Sequence, residues 1–506
     1  MRAGAAGADV CVVNLGCRVN RVESDWIEKS FADRGCRVVG QDDADVIVIN
    51  TCAVTGEAQA KTRKAVRRAC ACDRARVVAV TGCASSLFPQ ELAALSPKVR
   101  VIPSKLVVAQ DALEALDRVR ADDRRANRAD APRESRAASA EAPRPGDAVD
   151  DASSDGPAAT DAEEANLNAD DDGRTESRSG ATPEARVKRG VKVQDGCDNR
   201  CTYCIVWKAR GASRSEPLER IVRQVRQVLD DGAVEIDLTG VNLGRFSADD
   251  GDRALALADL VDVVAGMARG RAVVRASSLE PQDVSDAFLE AMARNADVVC
   301  PHLHLPVQSG CTATLERMGR PYTADWFAAK ARAARALMPT FSLTTDVIVG
   351  FPGESDEEFE ESLAFCARVG FSKMHVFRYS PRPGTPACDL PDQVAAPVAA
   401  ERSRRMRACA DELRAADARR RVGGVERVVV ERASADGLVR GTTESFHRVR
   451  LAASAFATEG GRAPEGLALA SLDGYDPATG EMTGRVRRYV RVVQPSLPEA
   501  PHPRAR

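Results

Sequence analysis

The stretch QDGCDNRCTYCIVW, residues 194–207, sets Cys197, Cys201 and Cys204 in the spacing C-x3-C-x2-C. Three thiolates leave a tetrahedral zinc ion one ligand short, so a zinc reading needs a distant fourth residue. A 4Fe-4S cluster is ligated iron by iron, and three cysteines within eight residues can wrap one face of the cube. The fourth iron is then open to a substrate or cofactor. On spacing alone the open cluster is favoured and the zinc knuckle remains the alternative.

The stretch follows the first of six apolar runs, near 191–196, 235–240, 273–279, 299–307, 342–350 and 373–380. Amphipathic helical patterns lie between them, as βα units require. The SDEE of Ser355 to Glu358 has capping-box form and opens one such helix, expected to run through Ala367. Six βα units predict a partial (β/α)6 barrel with its site at the carboxyl ends of the strands, where the three cysteines also fall.

Upstream, residues 121–180 hold 16 Asp and Glu against 8 Arg, with only Val149 and Leu167 as large apolar residues. Such a segment cannot bury enough surface to offset its ordering entropy. It reads as a disordered acidic linker, assigned to 120–184. Before it, three apolar runs each end at a cysteine: VCVVNLGC at Cys17, DVIVINTC at Cys52 and RVVAVTGC at Cys83. Helical patterns separate them, so residues 8–119 form an α/β domain on a parallel sheet. All three cysteines then lie at strand carboxyl ends, where open sheets of this kind place ligands. Three unrelated core cysteines are the plainer alternative. The barrel domain is assigned to 185–420. From about Gly423 to residue 493, short alternating strands with Gly-bearing turns predict a small all-β barrel, and the terminal PSLPEAPHPRAR reads as frayed.

The whole chain of 506 residues is too long for one core. It has no run of 18 apolar residues and no charged segment leading into a long apolar one, so neither a membrane helix nor a signal peptide is expected. Fifteen cysteines in a cytoplasmic-looking chain point to metal or redox chemistry before disulfides. Net charge is −2, but the acidic segment alone carries −8, which leaves the remainder mildly basic and able to meet a phosphate backbone. Lys61, Arg63, Lys64, Arg67 and Arg68 crowd one helix after the Cys52 strand. A charge run is usually a solvated face; phosphate contact is the second reading.

The barrel triad resembles the radical S-adenosylmethionine (SAM) superfamily. That resemblance implies that SAM chelates the open iron through its amino and carboxylate groups, and that its reduction gives a 5′-deoxyadenosyl radical. The second triad narrows it. LGCRVNRVESD, NTCAVTGEAQAKTRKAVRRA and VTGCAS are similar to the N-terminal cluster domain of methylthiotransferases, and SSLEPQD, HLHLPVQSGC, LERMGRPYT, TTDVIVGFPGES and KMHVFRYSPRPGTPA match the same family over most of 8–420. NTCAVT with its basic helix, together with FSKMHVFRYSPRPGTPA, looks most like the bacterial branch acting on threonylcarbamoyladenosine in tRNA.

The resemblance implies methylthiolation of carbon 2 of N6-threonylcarbamoyladenosine at tRNA position 37. An aromatic C–H offers no acid or leaving group to polar chemistry, which explains the radical. It implies two 4Fe-4S clusters, one on Cys197, Cys201 and Cys204 and one, supplying sulfur, on Cys17, Cys52 and Cys83. It also implies two SAM molecules per turnover, an electron donor such as flavodoxin or ferredoxin, a monomer, and an RNA-binding TRAM-like barrel at the C-terminus. Gly240 and Asn242 in LTGVNLG, Gln308 in PVQSG and Asp346 in TTDVIVG lie at strand ends where SAM is expected; each reads equally as a turn or strand-end residue. The remaining nine cysteines share no spacing and read as core or surface.

One departure stands out. Where the family has proline after two aliphatic residues, this chain has Trp207, which removes a φ restraint. Two other functions stay open: a methylthiotransferase for another target (isopentenyladenosine in tRNA or a ribosomal-protein aspartate), and a two-cluster electron-transfer protein. The strand-end polar groups argue against the latter, since electron transfer needs no SAM pocket.

Overall fold

In the computed structural model the described residues are 7–129, 187–249, 251, 253–433, 438–452 and 465–492. Five parallel strands form the first sheet: β1 (Asp9–Asn14), β2 (Arg37–Val38), β3 (Val46–Thr51), β4 (Val77–Gly82) and β5 (Val99–Val101). Their spatial order is β2-β1-β3-β4-β5. Alternation along each strand builds two cores. Val46, Val48, Val77 and Ala79 face α1 (Arg18–Ala32), as Ile27 and Phe31 of that helix do from the other side. Ile47, Ile49, Val78 and Val80 pack instead with Val66 and Ala69 of α2 (Gly56–Cys70). A strand buried on both faces reads as a continuous apolar run, which is why VIVIN and VVAV were legible. The strand order reverses between β1 and β3, the position where open α/β sheets form a crevice.

Cys83 opens the short helix α3 (Cys83–Leu87). The sheet's last helix, α4 (Val108–Ala129), continues through residues 120–129, which the sequence reading gave to the linker. Polar composition hid it: its charges find partners, as in the Asp123–Arg76 pair at 3.5 Å, instead of leaving the segment unstructured. The rest of the expected linker, from 130 on, and the expected frayed terminus lie outside the described residues.

The six expected barrel strands are β6 (Lys188–Lys192), β7 (Glu235–Thr239), β8 (Val273–Ala276), β9 (His302–His304), β10 (Ser342–Val349) and β11 (Lys373–Arg378). All pair in parallel, β6-β7-β8 and β9-β10-β11, with single bridges Val274–Val299 and Ser278–His304 joining the halves. No pairing joins β6 to β11 among the described residues, so the barrel is open. β6 begins three residues before the expected run because Lys188 is a paired strand residue, bound to Glu431 and Thr442. Between β6 and β7, α5 (Val206–Arg210) follows the cysteine loop. The capping box forms as read: Ser355 accepts from the Glu358 N–H, and the helix Asp356–Val369 runs two residues past the expected end.

A long helix, α6 (Ala396–Arg421), leads to a closed barrel of β12 (Val425–Ala433), β13 (Leu438–Thr443), β14 (Arg448–Ala452), β15 (Gly466–Asp476) and β16 (Glu481–Val492). It docks beneath the open barrel, at the end away from the cysteines. Arg275, almost fully buried, binds Glu235 at 3.1 Å and the carbonyls of Thr443 and Glu444 at 3.2 and 3.0 Å. Phe446 stacks on His302 with centroids 4.5 Å apart.

Candidate functional site: two three-cysteine centres

The loop after β6 is shaped by backbone constraints. Gly196, φ +75°, sits where a Cβ would lie 2.0 Å from the Ala212 carbonyl oxygen, so only glycine fits there. The Gln194 amide donates to the carbonyls of Asp195 and Gly196 at 2.9 and 2.8 Å, while its oxygen accepts from the Asn242 N–H at 2.7 Å. Each sulfur meets a nitrogen donor: Asn242 Nδ2 lies 3.9 Å from Cys197, an Arg320 terminal nitrogen 3.1 Å from Cys201, and the Val206 N–H 3.4 Å from Cys204. Burial pushes the Cys204 thiol up to about 12, with Cys201 and Cys197 adding to it, and raises Cys197 too. Such thiols stay protonated until a metal centre supplies positive charge; the donors then stabilise the thiolates.

Beside this triad lies a polar cradle. Glu280 pairs with Arg320 and lies within electrostatic range of Cys197 and Cys204. Asn199 Nδ2, Asn242 Oδ1, Ser277 Oγ, Asp283 Oδ2 and both ends of the Gln282 amide are buried without a protein partner. Buried polar atoms are nearly always hydrogen-bonded. A set of orphans on the loops after β6, β7 and β8 therefore fits a polar ligand, which suits the amino-acid and ribose groups of SAM.

The second triad is held by the sheet. Cys17 caps α1 from three residues past β1, Cys52 directly follows β3, and Cys83 directly follows β4. Gly82, φ +93°, would place a Cβ 2.4 Å from the Thr51 carbonyl oxygen, so the backbones cross closely just before Cys83. Asn20 and Asn50 lace the strand ends: Asn20 Nδ2 donates to Asn50 Oδ1 and the Thr51 carbonyl at 3.1 and 2.9 Å, and Asn50 Nδ2 to the Asn20 carbonyl at 2.8 Å. Burial and then the Cys17 and Cys83 thiols push Cys52 up to about 12; Cys83 is raised by burial against the pull of Arg210. The three thiols thus lie within electrostatic range of one another. Among the described residues no three Cys, His, Asp or Glu could hold a single metal ion.

A buried charge network forms the seam between the two centres. Glu23 of α1 meets Lys192 at 2.7 Å, Arg210 at 2.9 Å and Lys105 at 2.8 Å; Asp195 meets Lys192 at 2.8 Å and Arg210 at 3.0 Å. The helices that follow Cys83 and Cys204, α3 and α5, pack directly on each other. A cleft of about 1940 Å³ runs along this seam and reaches Cys83, but none of the barrel thiols line it.

Of the four strand-end residues expected near SAM, Asn242 is brought against Cys197 and Gly240 packs on Gln194. Gln308 and Asp346 belong to the other half of the barrel. The Gln308 N–H donates to the Asp346 carbonyl at 2.9 Å, Gln308 has φ +69°, and the Asp346 carboxylate lies 3.3 Å from His304. On α2, Lys61 pairs with Glu57 and Arg63 with Glu91, leaving Lys64, Arg67 and Arg68 exposed without an ion pair among the described residues. Trp207 lies within α5, where the helix sets the φ that proline would have fixed, and Arg200 and Lys208 stand 5.4 and 5.1 Å from its ring centre. All fifteen cysteines are free.

Sequence reading missed Arg210, Glu280, Arg320 and Arg382. The only signal was position, since each sits in ARG, SSLEP, ERMGRP or SPRPG, short segments bearing Gly or Pro.

The family model for the radical SAM superfamily matches residues 191–366, and that for uncharacterized protein family UPF0004 matches 9–103. The chain is 35% identical over 416 residues to threonylcarbamoyladenosine tRNA methylthiotransferase MtaB of Bacillus subtilis, covering 80% of this chain and 81% of that one. It is 30% identical to the protein of the same name from Thermotoga maritima, covering 86% and 90%. To tRNA-2-methylthio-N(6)-dimethylallyladenosine synthase of Geobacillus thermodenitrificans it is 40% identical, over 49% of this chain and 47% of that one.

Proposed function

The chain belongs to the radical SAM methylthiotransferase family, of the MtaB type, and on that premise we propose that it adds a methylthio group to carbon 2 of N6-threonylcarbamoyladenosine at position 37 of tRNA. The observation that carries the reading is the pairing of two three-cysteine centres through α3 and α5. In this reading Cys197, Cys201 and Cys204 hold a 4Fe-4S cluster and Cys17, Cys52 and Cys83 hold a second. With SAM bound, such a cluster supplies one-electron cleavage of a sulfonium carbon–sulfur bond, which an unactivated aromatic C–H requires.

The chain's own residues do the rest. Arg320 offsets thiolate charge and Asn242 donates an N–H to it; Glu280, Ser277, Asp283 and Asn242 offer acceptors for the amino and hydroxyl groups of SAM. Gly240 keeps the loop carrying Asn242 close to Gln194, and Gln308 and Asp346 fix the far strand ends. The buried charge network of Glu23, Lys192, Asp195 and Arg210 holds the first sheet and the barrel in fixed register between the centres. Lys64, Arg67 and Arg68, with exposed Arg487 and Arg488 on the closing strand of the C-terminal barrel, suit tRNA phosphates. A low-potential flavodoxin or ferredoxin supplies electrons, two SAM molecules are used per turnover, and the chain acts as a cytoplasmic monomer. No helix among the described residues is long and apolar enough to cross a membrane.

The second reading, isopentenyladenosine as target, is favoured by the 40% identity of the dimethylallyladenosine relative, but that match spans under half of either chain. Mass analysis of tRNA nucleosides from a strain lacking the protein separates the two. The proposal expects the methylthio-threonylcarbamoyl nucleoside to vanish and methylthio-isopentenyladenosine to persist; the reverse pattern refutes it.

A further inference from the structure

Two buried arginines of the radical half of the molecule end at the thiols of the first sheet. Arg210, the last residue of α5, lies within electrostatic range of Cys83 and Cys17. It also donates to Asn20 Oδ1 at 2.6 Å, the same oxygen that lies 3.5 Å from the Cys17 sulfur. Arg382 sits on the loop after β11, within electrostatic range of Cys52. Its terminal nitrogen donates to the Ala53 carbonyl at 2.9 Å and to Gln59 Oε1 at 3.3 Å.

The charges around these arginines do not balance. In the seam, four cations (Lys105, Lys192, Arg210 and the more exposed Arg214) meet two carboxylates (Glu23, Asp195). Arg382 is only 3% exposed, pairs with no carboxylate among the described residues, and its Nε is a buried donor with no partner. A buried, unpaired guanidinium is costly, and such groups persist where an anion compensates them. The nearest groups able to carry that negative charge are the three thiols, once ionised.

We infer that Arg210 and Arg382 are positioning residues of the first-sheet centre, cations supplied by the radical domain that stabilise its thiolates and set the reduction potential of the cluster held there. The inference rests on the reading that Cys17, Cys52 and Cys83 hold a cluster. Positive charge and N–H donors at cluster sulfurs favour the more electron-rich state, so they raise the potential. In a buried site the effect is weakly screened. The two arginines approach from opposite ends of the radical domain's sequence and join Lys105 of the first-sheet domain, so the sheet centre's electrostatic environment is complete only with the radical domain docked.

The test uses the full-length chain carrying Cys197→Ala, Cys201→Ala and Cys204→Ala, reconstituted without oxygen, with iron counted per chain and the potential read by EPR-monitored redox titration. Arg382→Gln should load as much iron as its parent and titrate at a lower potential, with Arg382→Lys shifted less because the charge is kept. Arg210→Gln would take away a cation that Glu23 and Asp195 share, so Arg210→Lys, which keeps the charge, replaces it, with a smaller shift in the same direction. An unmoved potential in Arg382→Gln at full iron loading would overturn the inference and leave that arginine a structural tether. If the parent itself holds no cluster, the underlying assignment fails instead, a distinct result.

Discussion

Replacing Glu23 by glutamine tests whether the seam between sheet and barrel is held by charge. Glu23 is about 1% exposed and touches Arg210, Lys192 and Lys105. Burial works to raise its carboxyl, but Arg210, then Lys105 and Lys192, outweigh it, and the ordinary 4.5 falls to about 2 in the folded chain. A depressed folded value means that the stabilisation is complete above the unfolded value and is lost as pH falls toward the folded one. At about 1.4 kcal/mol per tenfold change in proton affinity, the gap is worth about 3 kcal/mol at neutral pH, with about half gone near pH 3. Glu23→Gln leaves Lys105 without a carboxylate and leaves Lys192 and Arg210 with Asp195 alone, so it should cost about 3 kcal/mol at pH 7. Urea unfolding of the two full-length proteins at a series of pH values reads both numbers. The stability difference should be flat from pH 8 to 5 and narrow steadily below 4.5. A difference that stays constant down to pH 3, or one under about 1 kcal/mol throughout, would refute the reasoning.

Three further outcomes follow from the geometry. Gly196→Ala drives a Cβ into the Ala212 carbonyl, so iron bound by the barrel triad should be lost while the sheet triad keeps its share, as iron analysis would reveal. Arg275→Met leaves Glu235 uncompensated and should destabilise by about 3–5 kcal/mol, raising proteolysis near Val422–Gly424, where α6 meets the C-terminal barrel; adding Glu235→Gln should recover most of the loss. Lys64, Arg67 and Arg68 changed together to Ala should weaken tRNA binding in gel shifts and lower the slope of log affinity against log salt by about 2–3, with thermal stability unchanged.

What was legible in the sequence was local. Cys17, Cys52 and Cys83 announced their places because each ends a continuous apolar run, and a strand buried on both faces leaves that trace. The triad of Cys197, Cys201 and Cys204 was legible from spacing alone, and Ser355 with Glu358 from a capping pattern three residues long. The partners of the thiols were not, because they arrive from far along the chain. Arg320 meets Cys201 across 119 residues, Arg210 meets Glu23 across 187, and Arg382 meets Ala53 across 329. No periodicity records such contacts. The short strands β2 and β5 escaped for a different reason, with two and three residues carrying too little pattern. Trp207 was read as a lost restraint, but the helix it joins supplies the same backbone angle through its hydrogen bonds. The helical residues 120–129 were lost to composition, since Ala, Arg and Asp serve a solvated helix as readily as a linker.

The central claim is that incomplete cysteine ligation occurs twice, with separate tasks. Its most direct test is anaerobic reconstitution of the full chain beside two triple variants, one with Cys17, Cys52 and Cys83 changed to Ala, the other with Cys197, Cys201 and Cys204 changed to Ala. The account predicts about eight irons per chain in the parent and about four in each variant, since each cluster brings four. Only the first variant should still cleave SAM to 5′-deoxyadenosine, and neither should modify tRNA. Cleavage of SAM by the second variant, or full iron loading in the first, would contradict it.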